Sequence, residues 1–280
     1  MYLKSVRLLG SLMLRFRNGS TLIRQMRAGQ PCDELVLWDG TRIAHPARRH
    51  GLLEAVQEIW IEQTYTAGFY RPRDGDVIVD AGANIGLFAI YIARQNPKCT
   101  VHALEPFAEN FNVLEANILA ARASNITCHK AALGADFGRG EMKAVGARSL
   151  DHVLRGDARD RYKPDDKQRN DVGSKPTNAV PSPNSISIIP LSGVFDLTHT
   201  SDVDFLKVDI EGSEHDVFAN AAPEILRRFK RIALEYHDQL VPGTLAILRR
   251  VLAPTHELII YPSKLEGCGI LRARLRDLRP

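Results

Sequence analysis

Several features that mark special classes of protein are missing from this sequence. Its four cysteines (Cys32, Cys99, Cys128 and Cys268) are scattered, and no two form a Cys-x-x-Cys pair. That absence argues against a zinc site or a disulfide framework and favours a reducing, cytoplasmic compartment. No apolar run approaches the ~20 residues that a helix needs to cross a bilayer. No apolar core with a cleavage site marks a signal peptide.

A strong charge of either sign is also missing. The 280 residues carry a formal net charge of +4, with 44% hydrophobic and 25% charged residues. This composition is that of an ordinary globular protein, long enough to bury one large core. Because the charge is mild, nothing in the composition indicates a nucleic-acid partner, and nothing indicates an oligomeric state.

Acidic residues are absent from residues 1–30, which hold six Lys or Arg residues among apolar ones. The preferred interpretation is a peripheral helix packed on the body with a solvated basic side. Peripheral contact with an anionic membrane and a transit peptide are the alternatives. Residues 34–44 alternate around Asp39-Gly40, a dipeptide that favours a two-residue hairpin turn. We therefore expect residues 1–50 to form a basic helical and hairpin extension.

Large apolar side chains are absent from residues 155–185, which contain no Ile, Leu, Phe, Met or Trp but four prolines. Such a segment cannot bury enough surface to offset the entropy of ordering it, so it predicts a disordered insertion. Long loops of this kind are often functional, for instance as a lid. A dispensable surface insert is the equal alternative.

Elsewhere strands and helices alternate along the chain. Strands are expected at 77–79, 100–104, 125–132, 186–191, 204–209 and 231–236, helices at 51–66, 87–94, 107–121 and 244–252, and one or two strands at the end. A further helix opens at 211–214, with Ser213 as its N-cap. This alternation predicts an α/β fold, with a mostly parallel sheet and helices on both faces.

A strand, a glycine-bearing turn and a helix start follow one another from Asp76 to Arg94, which predicts a ligand cradle. A nicotinamide site needs Gly-x-Gly-x-x-Gly, but here Gly82 is followed by Ala83, Asn84 and then Gly86, so the second glycine is missing. An acid, Asp80, precedes the turn. The pattern suits a cofactor with an ammonium group and no pyrophosphate, such as S-adenosylmethionine (SAM).

Glu105 ends the second predicted strand, 19 residues after Gly86. An acid at this place can accept both hydroxyls of an adenosine ribose. Pro106 follows it, and Phe107 could equally pack on an adenine edge or staple the next helix. We therefore predict that Glu105, Pro106 and Phe107 belong to the cofactor site.

Two later strands also end in polar side chains that can take part in catalysis. Asp209 and Glu211 follow one strand, and Glu235 and His237 end its neighbour. Lys207 points to the same side as Asp209 and is expected to pair with Asp209 or Glu235. His237 could take a hydroxyl proton as general base, or hold a neighbour by a hydrogen bond. The four acidic and histidine side chains could also ligate Mg²⁺, although a metal-free site is preferred.

The sequence resembles FkbM-type SAM-dependent methyltransferases in four runs: Val79 to Gly86, Leu104 to Pro106, Phe205 to Glu214 and Leu234 to His237. The resemblance covers about residues 55–262, and the run from Lys207 to Glu214 is its most distinctive part. It implies a Rossmann-like, seven-stranded doubly wound sheet in a methyltransferase domain over 51–280. It also implies O-methylation of a hydroxyl on a sugar (polysaccharide or glycolipid) or a polyketide-like small molecule.

On this interpretation, the cofactor-binding residues are Asp80, Gly82, Ala83, Asn84, Gly86, Glu105, Pro106, Phe107 and Asp209, and the catalytic residues are Lys207, Asp209, Glu211 and His237. Two alternatives stay open. One is a SAM-binding partner without transfer activity in a glycan or polyketide assembly complex. The other is a dehydrogenase, which Asn84 at the second glycine position opposes.

Overall fold

The protein is described by a computed structural model that covers residues 2–46, 50–144, 152–155 and 185–278. The strands in chain order are β1 Glu34–Val36, β2 Arg42–Ala44, β3 Val77–Ala81, β4 Thr100–Leu104, β5 Ile126–His129, β6 Ala131–Leu133, β7 Gly138–Ala144, β8 His152–Arg155, β9 Ser185–Ile189, β10 Phe205–Val208, β11 Arg231–His237, β12 His256–Pro262 and β13 Cys268–Leu275. The helices are α1 Tyr2–Arg15, α2 Gly19–Arg27, α3 Leu52–Val56, α4 Leu87–Gln95, α5 Ala108–Ala120, α6 Gly193–Thr198, α7 Glu214–Ala219, α8 Pro223–Leu226 and α9 Thr244–Leu252, and a π-helix spans Gln57–Ile61.

The centre of the molecule is a seven-stranded sheet in the order β12-β13-β11-β10-β3-β4-β5. The five strands from β11 to β5 are parallel, and β13 and β12 add antiparallel pairs at one edge. From β3 the chain builds β4 and β5 on one side, while β10 and β11 lie on the other. The order therefore reverses between β3 and β10, where doubly wound sheets open a crevice at the carboxyl ends of their strands. The predicted Rossmann-like α/β fold is confirmed.

Both faces of this sheet are buried, which explains its β-branched strands. On β3, Ile78 faces one core and Val79 the other, and on β10 Phe205 and Leu206 divide in the same way. Successive side chains of a strand point to opposite faces, so a strand covered on both sides needs apolar residues at consecutive positions. One core is completed by α1, α3 and α4, and the other by α6 to α9.

The N-terminal helices pack on this body. Leu12, Phe16 and Leu22 have at most 1% of their surface exposed, and the ring of Phe16 lies 5.6 Å from that of Trp60. This packing agrees with the preferred interpretation of the basic segment. Among the helices described, none has the length and apolar character needed to span a membrane.

Two local predictions, the hairpin turn and one helix, were wrong in detail, and the predicted N-cap residue was confirmed in position. The hairpin turn has three residues between Leu37 and Thr41, because Leu37 N–H donates to the Thr41 carbonyl and Gly40 takes φ +87°. The helix predicted at 51–66 continues as a π-helix and ends at Ile61. Ser213 occupies the N-cap position of α7 but makes no capping bond with its side chain.

The strand predicted at 125–132 is two strands in different sheets. Its first half, β5, joins the central sheet, whereas β6 joins a four-stranded sheet in the order β6-β9-β7-β8. The predicted strand at 186–191 is β9 of this second sheet. The insertion predicted at 155–185 lies outside the described residues, apart from Arg155 at the end of β8 and Ser185 at the start of β9.

Candidate active site

One cavity lies at the carboxyl ends of β3, β4, β10 and β11. Its floor includes the turn after β3, and it is closed from above by an N-terminal unit, which we define as residues 2–46 and 50–70. That unit contributes His45, Leu52, Ala55, Glu58, Ile59 and Tyr65 to the lining. The sheet therefore supplies the polar floor, and the N-terminal unit supplies a wall of apolar and polar side chains that includes one acid, Glu58, whose pKa is raised to about 7 by burial and by the charge of Asp209.

The turn between β3 and α4 is shaped by residues with left-handed backbone. Gly82 has φ +78°, and a Cβ there would overlap the backbone carbonyl of Asp209. Gly86 has φ +88°, and a Cβ there would meet Leu114 at 2.6 Å. Asn84 adopts φ +51°, which asparagine tolerates better than most residues. Gly82, Ala83 and Asn84 line the cavity, whereas Gly86 does not line it and instead leaves room for the side chain of Leu114 on α5.

Glu105 holds this turn from the neighbouring strand. Its two carboxylate oxygens accept the backbone N–H groups of Asn84 at 2.8 Å and of Phe107 at 2.9 Å. Only 5% of its surface is exposed, and burial raises its pKa to about 7 although both N–H donors oppose that shift. Glu105 and Pro106 line the cavity, but Phe107 does not. Phe107 therefore contributes a backbone donor rather than a wall.

Asp80 does not reach the cavity, contrary to its predicted place beside the cofactor. It is fully buried, and its carboxylate lies 3.1 Å from the Nζ of Lys207. Lys207 also donates to the Gly82 carbonyl at 2.9 Å and lies 3.6 Å from Asp209. Burial lowers the pKa of Lys207, but Asp80 and Asp209 outweigh burial and raise it. The nearest acid to Lys207 is thus Asp80, which was not among its predicted partners, and the pair ties β10 to the turn.

Four polar side chains meet at the ends of β10 and β11, as the sequence predicted. We call Asp209, Glu211, Glu235 and His237 the strand-end cluster. His237 Nε2 lies 3.6 Å from Glu211 and 4.0 Å from Glu235. All four side chains line the cavity. Asp209 is therefore adjacent both to the glycine turn and to this cluster.

Tyr65 joins the strand-end cluster from the N-terminal unit. Its hydroxyl lies 3.2 Å from an Asp209 oxygen and 3.4 Å from a Glu235 oxygen. The ring is 2% exposed, and burial with the charges of Asp209 and Glu235 raises the pKa of Tyr65 well above its usual value. The hydroxyl therefore keeps its proton and donates it to one of the two carboxylates.

Burial and like charge together raise the pKa of two acids in this cluster, Glu211 and Glu235. Burial, followed by the charge of Asp209, raises the pKa of both Glu211 and Glu235 to about 8. Burial would lower the pKa of His237, but a hydrogen bond from Nδ1 to Glu214 at 3.2 Å and the surrounding carboxylates raise it to about 10. At neutral pH, His237 is therefore a cation held between carboxyl groups.

This charge state argues against His237 as a general base, because an imidazolium has no free lone pair to accept a proton. Of the two roles considered from the sequence, the hydrogen-bonded positioning role fits the structure. Glu214 is fully buried and accepts bonds from His237 and from the Ile210 backbone N–H. Glu211 and Glu235 are the better candidates for the base, since their pKa of about 8 is closer to neutrality than that of His237 and leaves a larger fraction of each ionised at neutral pH.

Asp209, Glu211 and His237 can each offer a ligand atom, and these atoms lie within 4.8 Å of one another. Carboxylate oxygens and an imidazole nitrogen are ligands that divalent cations accept. A metal there would have to displace the proton of His237. The metal-free site preferred from the sequence stays a prediction.

A family model for the methyltransferase FkbM domain matches residues 80–253, more than half of the chain. The match begins at Asp80, includes the glycine turn, and ends after the strand-end cluster. The chain belongs to the FkbM methyltransferase family. The predicted family is confirmed, and with it the activity class: this protein is a methyltransferase.

Two relatives of this methyltransferase match across most of its length. The 31-O-demethyl-FK506 methyltransferase FkbM of Streptomyces tacrolimicus is 27% identical over 199 residues, which are 65% of this chain and 73% of the relative. Methyltransferase 1 of Beauveria bassiana is 25% identical over 198 residues, or 70% of this chain and 77% of the relative.

Among solved structures, a precorrin-6y C5,15-methyltransferase from Geobacter metallireducens aligns with a TM-score of 0.43 and 13% identity, covering 83% of this chain and 93% of that one. A magnesium protoporphyrin IX methyltransferase from Synechocystis with bound SAH aligns at 0.37 and 11%, covering 72% and 74%. These similarities are distant.

Tyr65 and Glu214 are two of the groups in the methyltransferase site that sequence reasoning missed. Tyr65 was assigned only to a predicted helix, because nothing local shows that it will face strands far along the chain. Glu214 was quoted in the family motif without a role, and a carboxylate at the start of α7 is also an ordinary helix-start acid. In both cases only the tertiary contact with Asp209 or His237 reveals the function of the side chain.

Proposed function

We propose that this methyltransferase uses SAM to methylate a hydroxyl oxygen of a sugar or a polyketide-like small molecule. The observation that carries the proposal is that one cavity holds a glycine turn with Glu105 at one end and the strand-end cluster at the other. The first end suits an adenosine cofactor, and the second end suits a hydroxyl that must lose a proton. The Streptomyces relative is a 31-O-demethyl-FK506 methyltransferase, whose name describes an O-demethyl substrate.

The turn and Glu105 fit the cofactor. A side chain at Gly82 would collide with Asp209, so backbone rather than side chain faces the cavity there. Glu105 is buried, already oriented by two backbone donors, and keeps further lone pairs for ribose hydroxyls. When bound, SAM would supply an activated methyl group. Gly82, Ala83 and Asn84 would bind it, Glu105 would orient its ribose, and the apolar side chains of the wall would exclude water.

At the other end, Glu211 or Glu235 takes the proton of the acceptor hydroxyl. Asp209 lies between Lys207 and Tyr65 and orients the hydroxyl towards the methyl group. His237 stays protonated, and its positive charge offsets part of the repulsion between the carboxyl groups of Glu211 and Glu235. Because the leaving group of SAM is already activated, we assign most of the acceleration to positioning.

Calorimetry with SAM and with NAD tests the cofactor assignment. We expect SAM to bind and NAD not to bind. Glu105→Gln should weaken SAM binding about tenfold to a hundredfold, because an amide must present its NH₂ to a backbone donor in place of an oxygen. Glu109→Gln, a change of the same kind on the exposed side of α5, is the matched control and should bind SAM like the unchanged protein.

Tight NAD binding without SAM binding would refute the proposal and restore the dehydrogenase alternative. Equal SAM affinity in Glu105→Gln would refute the role of Glu105 but not the assignment of SAM as the cofactor. SAM binding without any methyl transfer would favour the alternative that this protein is a SAM-binding partner without transfer activity in a biosynthetic complex.

A further inference from the structure

Three large apolar side chains lie exposed next to one another on the N-terminal unit. Met13 is 49% exposed, Leu14 80% and Trp38 64%. The Trp38 indole N–H donates to the Leu14 backbone carbonyl at 2.8 Å, so the hairpin tip is fastened to the end of α1. An isolated antiparallel β-bridge between Phe16 and Leu37 fixes the same junction. The three side chains therefore form one patch on a rigid support, which we call the tip patch.

The tip patch has no part in the hydrophobic core. Leu12 and Phe16 turn inwards and are buried, and helical periodicity then points Met13 and Leu14 away from the body. The polar atom of Trp38 is already bonded to backbone, which leaves the apolar ring edge exposed. Large apolar side chains that are solvent-exposed, next to each other and held in place mark an interaction site.

The surroundings of the tip patch are basic. Arg7, Arg15 and Arg17 are exposed, and none of the three forms an ion pair with an acid in the part of the chain that the structure describes. The nearby acids are already neutralised: Glu34 pairs with Arg42, and Asp39 pairs with Arg94. The arginines around the patch therefore keep their charge for an outside partner.

We propose that the tip patch, with Arg7, Arg15 and Arg17, docks the protein on an anionic phospholipid bilayer. Charge complementarity selects this occupant, because unpaired arginines around inserted apolar side chains match acidic headgroups above acyl chains. A tryptophan beside such residues suits the membrane interface. The unit that carries the patch also supplies Leu52 and Ile59 to the cavity wall, so docking holds the cavity near the bilayer.

Sedimentation with vesicles tests this proposal on the full chain. Binding should be measured to phosphatidylcholine vesicles with and without phosphatidylglycerol. We expect binding only to the mixed vesicles, release by high salt, and about a tenfold loss of affinity in Leu14→Gln. Leu119→Gln is the matched control, because Leu119 is also 80% exposed but lies on α5. It should bind like the unchanged protein.

Tryptophan emission gives a second readout that needs no loss of binding. The chain has two tryptophans, and Trp60 is buried at 6% exposure. A blue shift on mixed vesicles that disappears in Trp38→Phe would locate the contact at the tip patch. Equal binding to both vesicle types, no binding, or an unchanged shift in Trp38→Phe would overturn the proposal. So would a dimer that Leu14→Gln dissociates in the absence of vesicles, because the patch would then be a contact between copies.

Discussion

At the scale of single residues, a buried carboxylate decides what a histidine can do. Glu214 is fully buried, and its contact with Nδ1 of His237 keeps the ring charged. A histidine at a strand end is a natural candidate for a base when only the sequence is known. The same ring becomes a positioning group once its partner is a carboxylate with no access to water.

This charge state predicts how stability depends on pH. Folding raises the pKa of His237 to about 10, so its contribution is complete below its ordinary value of 6.5 and is lost as the pH rises through about 10. Folding also raises the pKa of Glu211 and Glu235 to about 8, and a raised carboxyl group destabilises the fold increasingly as the pH rises from 4.5 to about 8. Both effects have the same sign, so the free energy of unfolding should fall as the pH rises.

Urea midpoints measured at pH values of about 6, 8 and 10 check this dependence. His237→Gln should flatten the decline at the high end, because glutamine can still donate to Glu214 but does not titrate. A midpoint that rises with pH, or an equal slope in His237→Gln, would contradict the assigned charge state.

Lys207 is predicted to stabilise the fold through its buried ion pair with Asp80. Lys207→Met leaves the carboxylate of Asp80 buried without its cation, which should lower the free energy of unfolding by ~3–5 kcal/mol. The double variant Asp80→Asn/Lys207→Met should recover much of that loss. Lys98→Met breaks an ion pair whose side chains are 74% and 63% exposed, so solvent screening should leave the free energy of unfolding almost unchanged. Denaturant titration of the four proteins measures the difference, and equal costs for Lys207 and Lys98 would refute the buried pair.

At the scale of elements, strands that are apolar on both faces could be predicted from sequence alone. β3 and β10 were found because each opens with consecutive apolar residues, and β4 has the predicted bounds, Thr100–Leu104. The split between β5 and β6 could not be predicted, because β6 pairs with β9, more than fifty residues away along the chain. The local residue pattern of a strand does not indicate which distant strand it will pair with.

The hairpin and the cofactor turn are joined by one side chain, Asn117 of α5. Its amide donates to the carbonyls of Ala44 and Ile85, and its oxygen accepts the Ala44 backbone N–H. Asn117→Leu leaves these buried groups without partners, which should cost ~2–4 kcal/mol of unfolding free energy and weaken SAM binding. Asn125→Ala removes a bond to the Cys99 carbonyl and a long one, at 3.9 Å, to the Cys99 Sγ, and should cost about 1 kcal/mol. Unchanged SAM affinity in Asn117→Leu would show that the turn keeps its shape without this link.

At the scale of the whole molecule, the sheet and its site could be predicted, but the enclosure of that site could not. Asp209, Glu211 and His237 were expected to meet, since the carboxyl ends of parallel strands share one edge. The wall opposite them comes from the N-terminal unit. Residues 1–50 were expected to form only an extension, and Tyr65 was assigned only to a helix of the methyltransferase domain, without a place in the site. Packing between distant parts of the chain decides that arrangement, and it places a hydroxyl donor within reach of Asp209 and Glu235.

Transfer of a labelled methyl group from SAM tests the central claim most directly. The purified protein is incubated with labelled SAM and a fractionated cell extract, and the labelled product is identified by mass spectrometry. We predict a methyl ether on a sugar or a polyketide-like small molecule, and no labelled product when Glu211 and Glu235 are both changed to Gln. Label on a nitrogen or a carbon, label on nucleic acid, or full transfer by that double variant would contradict the account.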